Sequence, residues 1–316
     1  MIIDSQAISL SDPNYWEWEG YKIAWHVKDE ENKIPIILIH GFGANSAHWR
    51  HNVNYFAKKG CAVYTIDLLG FGKSDQPGLD QINKLDNGLW SEQLIIFIKE
   101  IIRPKNPAKV FLIGNSLGSL VALTCAAYFP DEIAAIIASP LPDIVKPTQT
   151  EIKTNLKLFK LKNFFIKIIF KLIPLELILF LIKRIGLIEI GIKSAYFKKH
   201  NVDKELINLI NKPASRKTAA RALRAMCIGM STRDNKLKAS YLLKKLNKKK
   251  DIPTLLIWGE FDNFVPLFLG KRIANLYTWV ELKVITKSGH CVHDEDPNKF
   301  NQISYEWIRS LTFFKK

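Results

Sequence analysis

Val110-Phe-Leu-Ile-Gly114-Asn-Ser116-Leu-Gly118-Ser-Leu-Val-Ala122 runs an apolar, β-branched segment straight into Gly-Asn-Ser-Leu-Gly, and small and apolar residues follow at once. The pattern predicts a strand that turns sharply into a helix. A turn of this kind holds its serine in a strained backbone conformation with the hydroxyl exposed. Gly114 and Gly118, two residues to either side, leave room for the bend and for close packing of helix on strand. Ser116 is therefore the candidate nucleophile.

Other apolar runs end in loops that carry matching chemistry. Ile36-Ile-Leu-Ile39 leads into His40-Gly41-Phe42-Gly43, a strand-to-loop element suited to offering a backbone N–H to an oxyanion. Asp262 lies just past Leu255-Leu-Ile-Trp-Gly259, and Gly289-His290 comes just past Val280–Ile285. Ser, then Asp, then His, each after a predicted strand, is the chain order of one hydrolase fold. On these residues the sequence resembles the α/β-hydrolase fold superfamily over the whole chain except a central insertion. The expected fold class is α/β, an α/β-hydrolase fold with a mostly parallel central sheet, helices on both faces and an inserted helical cap.

Each site position has a competitor. Asp143, past the predicted strand Ile133–Ser139, sits where some hydrolases of this fold keep their acid. Asp262 is preferred because Gly259-Glu-Phe-Asp262 followed by Val265-Pro266 matches the commoner pattern. His293 follows His290 by three residues, but His293-Asp-Glu-Asp-Pro297 reads as the start of the final helix and predicts a capping or surface role. His40 precedes the Gly-Phe-Gly turn and is expected to bond the loop backbone.

Length and composition agree. A chain of 316 residues accommodates one α/β domain with an inserted cap, and 47% hydrophobic with 24% charged residues is ordinary for a soluble globular protein. The N-terminal Met-Ile-Ile-Asp-Ser-Gln has no basic segment or apolar core of signal-peptide length. Cys61, Cys125, Cys227 and Cys291 are scattered singly, as reduced core thiols of a cytoplasmic protein would be. Without a C-x-x-C or H-E-x-x-H pattern, neither a metal nor another cofactor is expected.

Along the chain, strands alternate with helices. Trp16–Val27 reads as a hairpin, Ala47–Lys58 and Trp90–Ile102 as helices, and Ala62–Leu68 as a strand, with Gly70–Pro77 a tight polar loop. The alternation stops after Ser139 and resumes at Ile252. It implies a core of residues 1–141 and 251–316 around a cap of residues 142–250.

That insertion is both basic and apolar. Residues 151–250 hold 25 Lys and Arg against 6 Asp and Glu, a net of +19 in a chain whose total is +16. At 100° per residue, Lys153, Lys157, Lys160, Lys167 and Lys171 share one helix face, opposite mostly Leu, Ile and Phe. Two expectations compete: a cap helix with solvated lysines, or peripheral contact with an anionic membrane. The run Leu172–Ile182 contains Glu176 and falls short of the about 20 residues that cross a bilayer. Nucleic-acid binding is not expected, because aliphatic residues separate the basic positions.

The chemistry of the positions predicts an acyl-group hydrolase. Ser116 becomes nucleophilic when His290 takes its proton, and Asp262 orients that histidine. The backbone N–H groups of Phe42 and Leu117 are the candidate oxyanion hole. A nucleophilic serine in place of aspartate argues against haloalkane dehalogenase and epoxide hydrolase chemistry, which run through a carboxylate ester. Carboxylester hydrolysis leads, thioester and C–C bond hydrolysis use the same triad, and a non-catalytic receptor for a hydrophobic ligand is the reading from another class. A large apolar cap suits a bulky hydrophobic small-molecule substrate. The segments His40–Trp49, Ile66–Asp75, Gly114–Gly118 and Gly289–Asp294 also resemble plastid and cyanobacterial hydrolases similar to pheophytinase and chlorophyll dephytylase. That resemblance implies a phytyl ester of a chlorophyll-type pigment, met at a thylakoid-type membrane surface.

Overall fold

Strands buried on both faces need apolar residues at consecutive positions, and Ile34–Ile39 (β3), Cys61–Ile66 (β4) and Val110–Asn115 (β5) supply them. The computed structural model describes residues 12–143, 166, 168–170, 173–184, 186–249 and 252–313. Asn14–Trp18 (β1) and Tyr21–Lys28 (β2) form the expected hairpin, turned by Glu19 and Gly20 at φ +50° and +75°. With Ile133–Ser139 (β6), Thr254–Gly259 (β7) and Val280–Ile285 (β8), they make one eight-stranded sheet ordered β1-β2-β4-β3-β5-β6-β7-β8. Strand β2 pairs antiparallel with both β1 and β4, and every other pairing in the sheet, from β4 across to β8, is parallel.

Alternate residues of β3 face opposite layers. Ile37 and Ile39 join the cluster with Trp90, Leu94, Leu120 and Val121 of helices Asn87–Phe97 (α2) and Leu117–Tyr128 (α3). Ile36 and Leu38 join Phe56 of Val53–Lys58 (α1) and Phe300 and Ile308 of Pro297–Phe313. Helices therefore cover both faces.

The predicted helix 47–58 is split into a 3-10 turn, Ser46–Trp49, and α1. Between them Asn52 turns its amide into the core, donating to the His293 carbonyl at 3.0 Å and Asn301 Oδ1 at 2.7 Å. Helix α2 starts earlier than expected because Asp86 caps it, accepting from the Gly88 and Leu89 N–H groups at 3.0 Å.

Between β6 and β7 the described chain is helical: Leu175–Arg184 (α4), Leu187–Ala195 (α5), Lys204–Ala214 (α6), Ala219–Thr232 (α7) and Ala239–Lys249 (α8). Leu242, Leu243 and Leu246 of α8 belong to the same buried cluster as α3, so by packing the last helix of the insertion flanks the sheet. Lys153, Lys157, Lys160, Lys167 and Lys171, the expected basic face, lie outside the described residues. After β7 come Leu267–Leu276 (α9), the four-residue helix Val292–Glu295 (α10) and α11, Pro297–Phe313. Among the described residues no helix is long and apolar enough to cross a membrane.

Candidate active site

Parallel strands end at one edge of the sheet, so the loops after β3, β5, β6, β7 and β8 share that edge. Registers Ile39↔Gly114, Asn115↔Ser139 and Gly259↔Ile285 align the strand ends. The sequence-separated candidates are thereby gathered along one edge of the sheet.

Ser116 caps α3 with φ +50° and ψ −112°, a conformation L-residues seldom adopt. The surroundings enforce it. The Ser116 N–H donates to the Ser139 carbonyl at 3.0 Å, and its own carbonyl accepts from Ser119 and Leu120. Both flanking glycines are required by close approach. A Cβ on Gly118 would lie 2.2 Å from the Ile39 carbonyl oxygen, and one on Gly114 would lie 2.3 Å from the Gly118 carbonyl carbon.

His290 and Asp262 are paired. His290 Nδ1 lies 2.9 Å from Asp262 Oδ2 and 3.1 Å from Oδ1, and both residues are buried. The carboxylate draws the imidazole proton to Nδ1 and leaves Nε2 as the basic nitrogen. Oδ1 of Asp262 also accepts from the N–H groups of Phe264 and Val265 at 2.8 Å, which fixes the orientation of the carboxylate. The acid and histidine loops cross closely: a Cβ on Gly259 would meet the Gly289 carbonyl oxygen at 2.0 Å.

Asp143 is engaged elsewhere. Its carboxylate pairs with Arg233 and accepts the Ala239 N–H at 3.1 Å, so it anchors the insertion and does not meet His290. His40 behaves as expected: the Leu68 N–H donates to Nε2 at 3.1 Å, so Nδ1 carries the proton and donates to the Gly41 carbonyl at 2.8 Å. Burial lowers its pKa and keeps it neutral.

His293 corrects the sequence expectation. In place of a capping or surface position it is fully buried, its ring centroid 4.2 Å from that of Trp49 and 4.5 Å from that of His48. Among the described residues neither of its ring nitrogens has a hydrogen-bond partner, and burial pushes its pKa well down. A minor correction concerns Cys227, which is half-buried, whereas Cys61, Cys125 and Cys291 are buried; all four thiols are free.

Phe42 and Leu117 flank the elbow. A Cβ on Gly41 would stand 3.5 Å from Ser116 Cβ, which brings the loop after β3 alongside the serine. Leu117 opens α3, and among the described residues neither the Phe42 nor the Leu117 N–H donates to a protein acceptor. Among the same residues no hydrogen bond joins Ser116 Oγ to His290; such bonds commonly tighten only when substrate is present. No cluster of three or more metal-ligating side chains occurs among the described residues.

The residues that hold the histidine loop are not marked by any local sequence pattern. Asn115 Nδ2 bridges the Ser139 carbonyl at 2.7 Å and the His290 carbonyl at 3.3 Å. The His290 N–H donates to the Ala195 carbonyl of the insertion at 2.7 Å. Glu295 accepts the Gly289 N–H at 2.6 Å and also the Lys198 N–H. Tyr196 donates to Asp294 at 2.8 Å and accepts from His48 Nε2 at 3.0 Å. Arg50 binds Asp294 at 2.9 Å and Asp203 of the insertion at 2.8 Å. Burial alone would lower the Arg50 pKa; its bonds to Asp294 and Asp203 outweigh that and raise it. The Asn115 amide and the Asp-Glu pair at 294–295 were visible in the sequence, but their partners come from distant segments.

A cavity of about 250 Å³ adjoins the Phe42 loop, walled by Phe71, Leu179, Ile188, Ile210, Leu223 and Met226 among others. Its lining is almost wholly apolar. The model of the alpha/beta hydrolase fold family matches residues 34–297.

The chain belongs to the α/β-hydrolase fold family.

It is an enzyme of the hydrolase class, and its relatives span several chemistries. It is 26% identical over 90% of its length to a 2-hydroxy-6-oxononadienedioate/2-hydroxy-6-oxononatrienedioate hydrolase of Pseudomonas sp, covering 91% of that protein. Identity is 23% to epoxide hydrolase 4 of Mus musculus, covering 93% of this chain and 78% of that one. It reaches 29% to a pimeloyl-[acyl-carrier protein] methyl ester esterase of Wigglesworthia glossinidia brevipalpis, covering 88% and 95%. Among solved structures, a thermophilic esterase from Thermogutta terrifontis superposes with a TM-score of 0.69 at 19% identity, covering 95% of this chain and 98% of that one, which bears on the fold.

Proposed function

We propose that this hydrolase cleaves a carboxylic ester of a bulky hydrophobic substrate through Ser116, His290 and Asp262. The observation that carries the reading is Ser116 at φ +50°, between a strand and a helix, on the same sheet edge as the His290–Asp262 pair. In this mechanism Ser116 Oγ attacks the acyl carbon while its proton passes to His290 Nε2. Asp262 stabilises the imidazolium that forms. The N–H groups of Phe42 and Leu117 receive the developing oxyanion; one such donor is typically worth about 2.7–4 kcal/mol in the transition state. Collapse breaks the ester C–O bond, and His290 returns the proton to the departing alkoxide. Water, deprotonated by His290, then releases the acid from Ser116.

A serine here cannot form the carboxylate ester through which epoxide opening runs, so that chemistry is set aside for this chain. Thioester and C–C bond cleavage use the same groups and belong in the substrate panel, as do chlorophyll a and pheophytin a, which follow from the pigment-hydrolase resemblance. Wild type and Ser116→Ala are to be compared on long-chain p-nitrophenyl esters and on the two pigments. Ester turnover that falls by at least about 10³-fold in the variant is the expected result. Equal rates from the two proteins would overturn the triad and favour the binding reading. Pigment dephytylation lost in the variant would identify the substrate; turnover of simple esters alone would discard the pigment.

The inserted segment also supports peripheral contact with an anionic membrane. Its helices expose Leu177, Leu181, Leu187 and Ile190, and its net charge is strongly positive. Wild type is expected to float with vesicles containing anionic lipid and to remain behind with neutral ones. Equal flotation after Leu177→Ser, Leu181→Ser and Ile190→Ser together would remove this reading.

A further inference from the structure

A second cavity, of about 830 Å³, plays no part in the steps above. It lies between the N-terminal hairpin, the loops after β3 and β4, and helix α6. Gly72 and Pro213 line both this cavity and the apolar one beside Phe42, so the two adjoin.

Its walls differ sharply from those of its neighbour. Lys73, Lys212 and Arg216 line it, together with Tyr15 and His26. Its acids are already engaged. Asp67 accepts the N–H groups of Ser46 and Lys73 at 2.7 Å, and Glu205 pairs with Arg50 at 3.1 Å. Among the described residues neither Lys73 nor Lys212 has a carboxylate partner. Arg216 donates from Nη1 to the carbonyls of Gly72 at 3.0 Å and Ser74 at 2.6 Å, which fixes the guanidinium at the wall. His26 also lines the wall; it is only 8% exposed, and among the described residues its Nδ1 has no hydrogen-bond partner. The cavity thus presents Lys73, Lys212 and Arg216, with its two acids bonded to other groups, next to a pocket lined by hydrocarbon.

We propose that this cavity takes a carboxylate or phosphate group carried at the far end of the substrate, whose apolar part lies in the pocket beside Phe42. The inference rests on the hydrolase reading above and names the substrate class: an amphiphilic ester with an anionic terminus. Lys73 and Lys212 supply the charge, while the anchored guanidinium of Arg216 supplies directed donors.

The test compares methyl half-esters of straight-chain diacids with methyl esters of monoacids of equal length. Wild type should prefer the half-ester at one chain length. The ratio of kcat/KM for half-ester over neutral ester should fall at least about ten-fold in Lys73→Gln/Lys212→Gln, both exposed side chains. Inorganic phosphate should inhibit half-ester turnover competitively. A ratio near unity in wild type, or one unmoved in the double variant, overturns the proposal. So does phosphate that binds without competing, because the cavity would then hold a free anion and not the substrate's terminus. Calorimetric binding of the half-ester to Ser116→Ala separates the two readings. Binding that needs Lys73 and Lys212, with no ester hydrolysed by wild type, sustains the cavity and sinks the hydrolase reading. Ester turnover without charge discrimination does the reverse.

Discussion

Asp262 and Asp143 each follow a strand on the same sheet edge, yet their neighbours give them different work. Asp262 receives two backbone N–H groups and the His290 ring; Asp143 receives Arg233 and the first N–H of α8. Asp262→Asn is expected to lower kcat on the best ester by about 10³–10⁴-fold, since the amide cannot stabilise an imidazolium at His290. Asp143→Asn should keep that activity and instead lower the melting temperature, at a cost of about 1–3 kcal/mol for weakening a bond to a charged group. Steady-state kinetics and thermal melts on the two variants separate the roles; activity lost equally in both would overturn the assignment. The preference for Asp262 was legible because Gly259-Glu-Phe-Asp262 is a local pattern. His293 was not legible: its acidic neighbours suggest a surface, whereas the ring enters a cage of Trp49, His48 and Phe300 supplied from elsewhere in the chain.

At the scale of elements, the turn from β5 into α3 depends on how close the helix comes to β3. With 2.2 Å between a Gly118 Cβ and the Ile39 oxygen, backbone must move to admit alanine. Gly118→Ala is expected to abolish soluble, cooperatively melting protein. Gly191 is the contrast: it lies within α5 with nothing within 4 Å of its added Cβ. Gly191→Ala should raise stability by up to about 1 kcal/mol, the helix-propensity difference. Urea unfolding of both variants measures this, and a destabilised Gly191→Ala would contradict the open packing. Strands were legible because runs such as Ile36–Ile39 repeat the pattern of a sheet buried on both faces. The break between Ser46–Trp49 and α1 was not, because it accompanies Asn52 bonding residues nearly 250 positions away.

For the whole molecule, buried neutral histidines set the response to acid. Burial lowers the pKa of His48 from 6.5 to about 4, and burial also lowers those of His26, His40 and His293. Between about 6.5 and 4 the unfolded chain therefore binds protons that the folded chain refuses, and stability falls as pH drops through that window. The urea midpoint should decline steadily from pH 7 to pH 5 and decline less steeply in His48→Gln; a flat wild-type profile would contradict the burial of these rings. His48 also bonds Tyr196 of the insertion, so acid should loosen the docking of that segment on the histidine loop. The sequence by itself determined the strand–serine–helix elbow, the order of Ser116, Asp262 and His290, and the basic, apolar character of the insertion. Each of these is written in neighbouring residues, where backbone sterics and side-chain periodicity act. Only the tertiary structure decided which acid meets His290, that His293 is core, that Ala195 and Asn115 hold the histidine loop, and that a cationic cavity stands beside an apolar one. Those outcomes depend on segments far apart in the chain being packed to contact distance, and no local pattern encodes that distance.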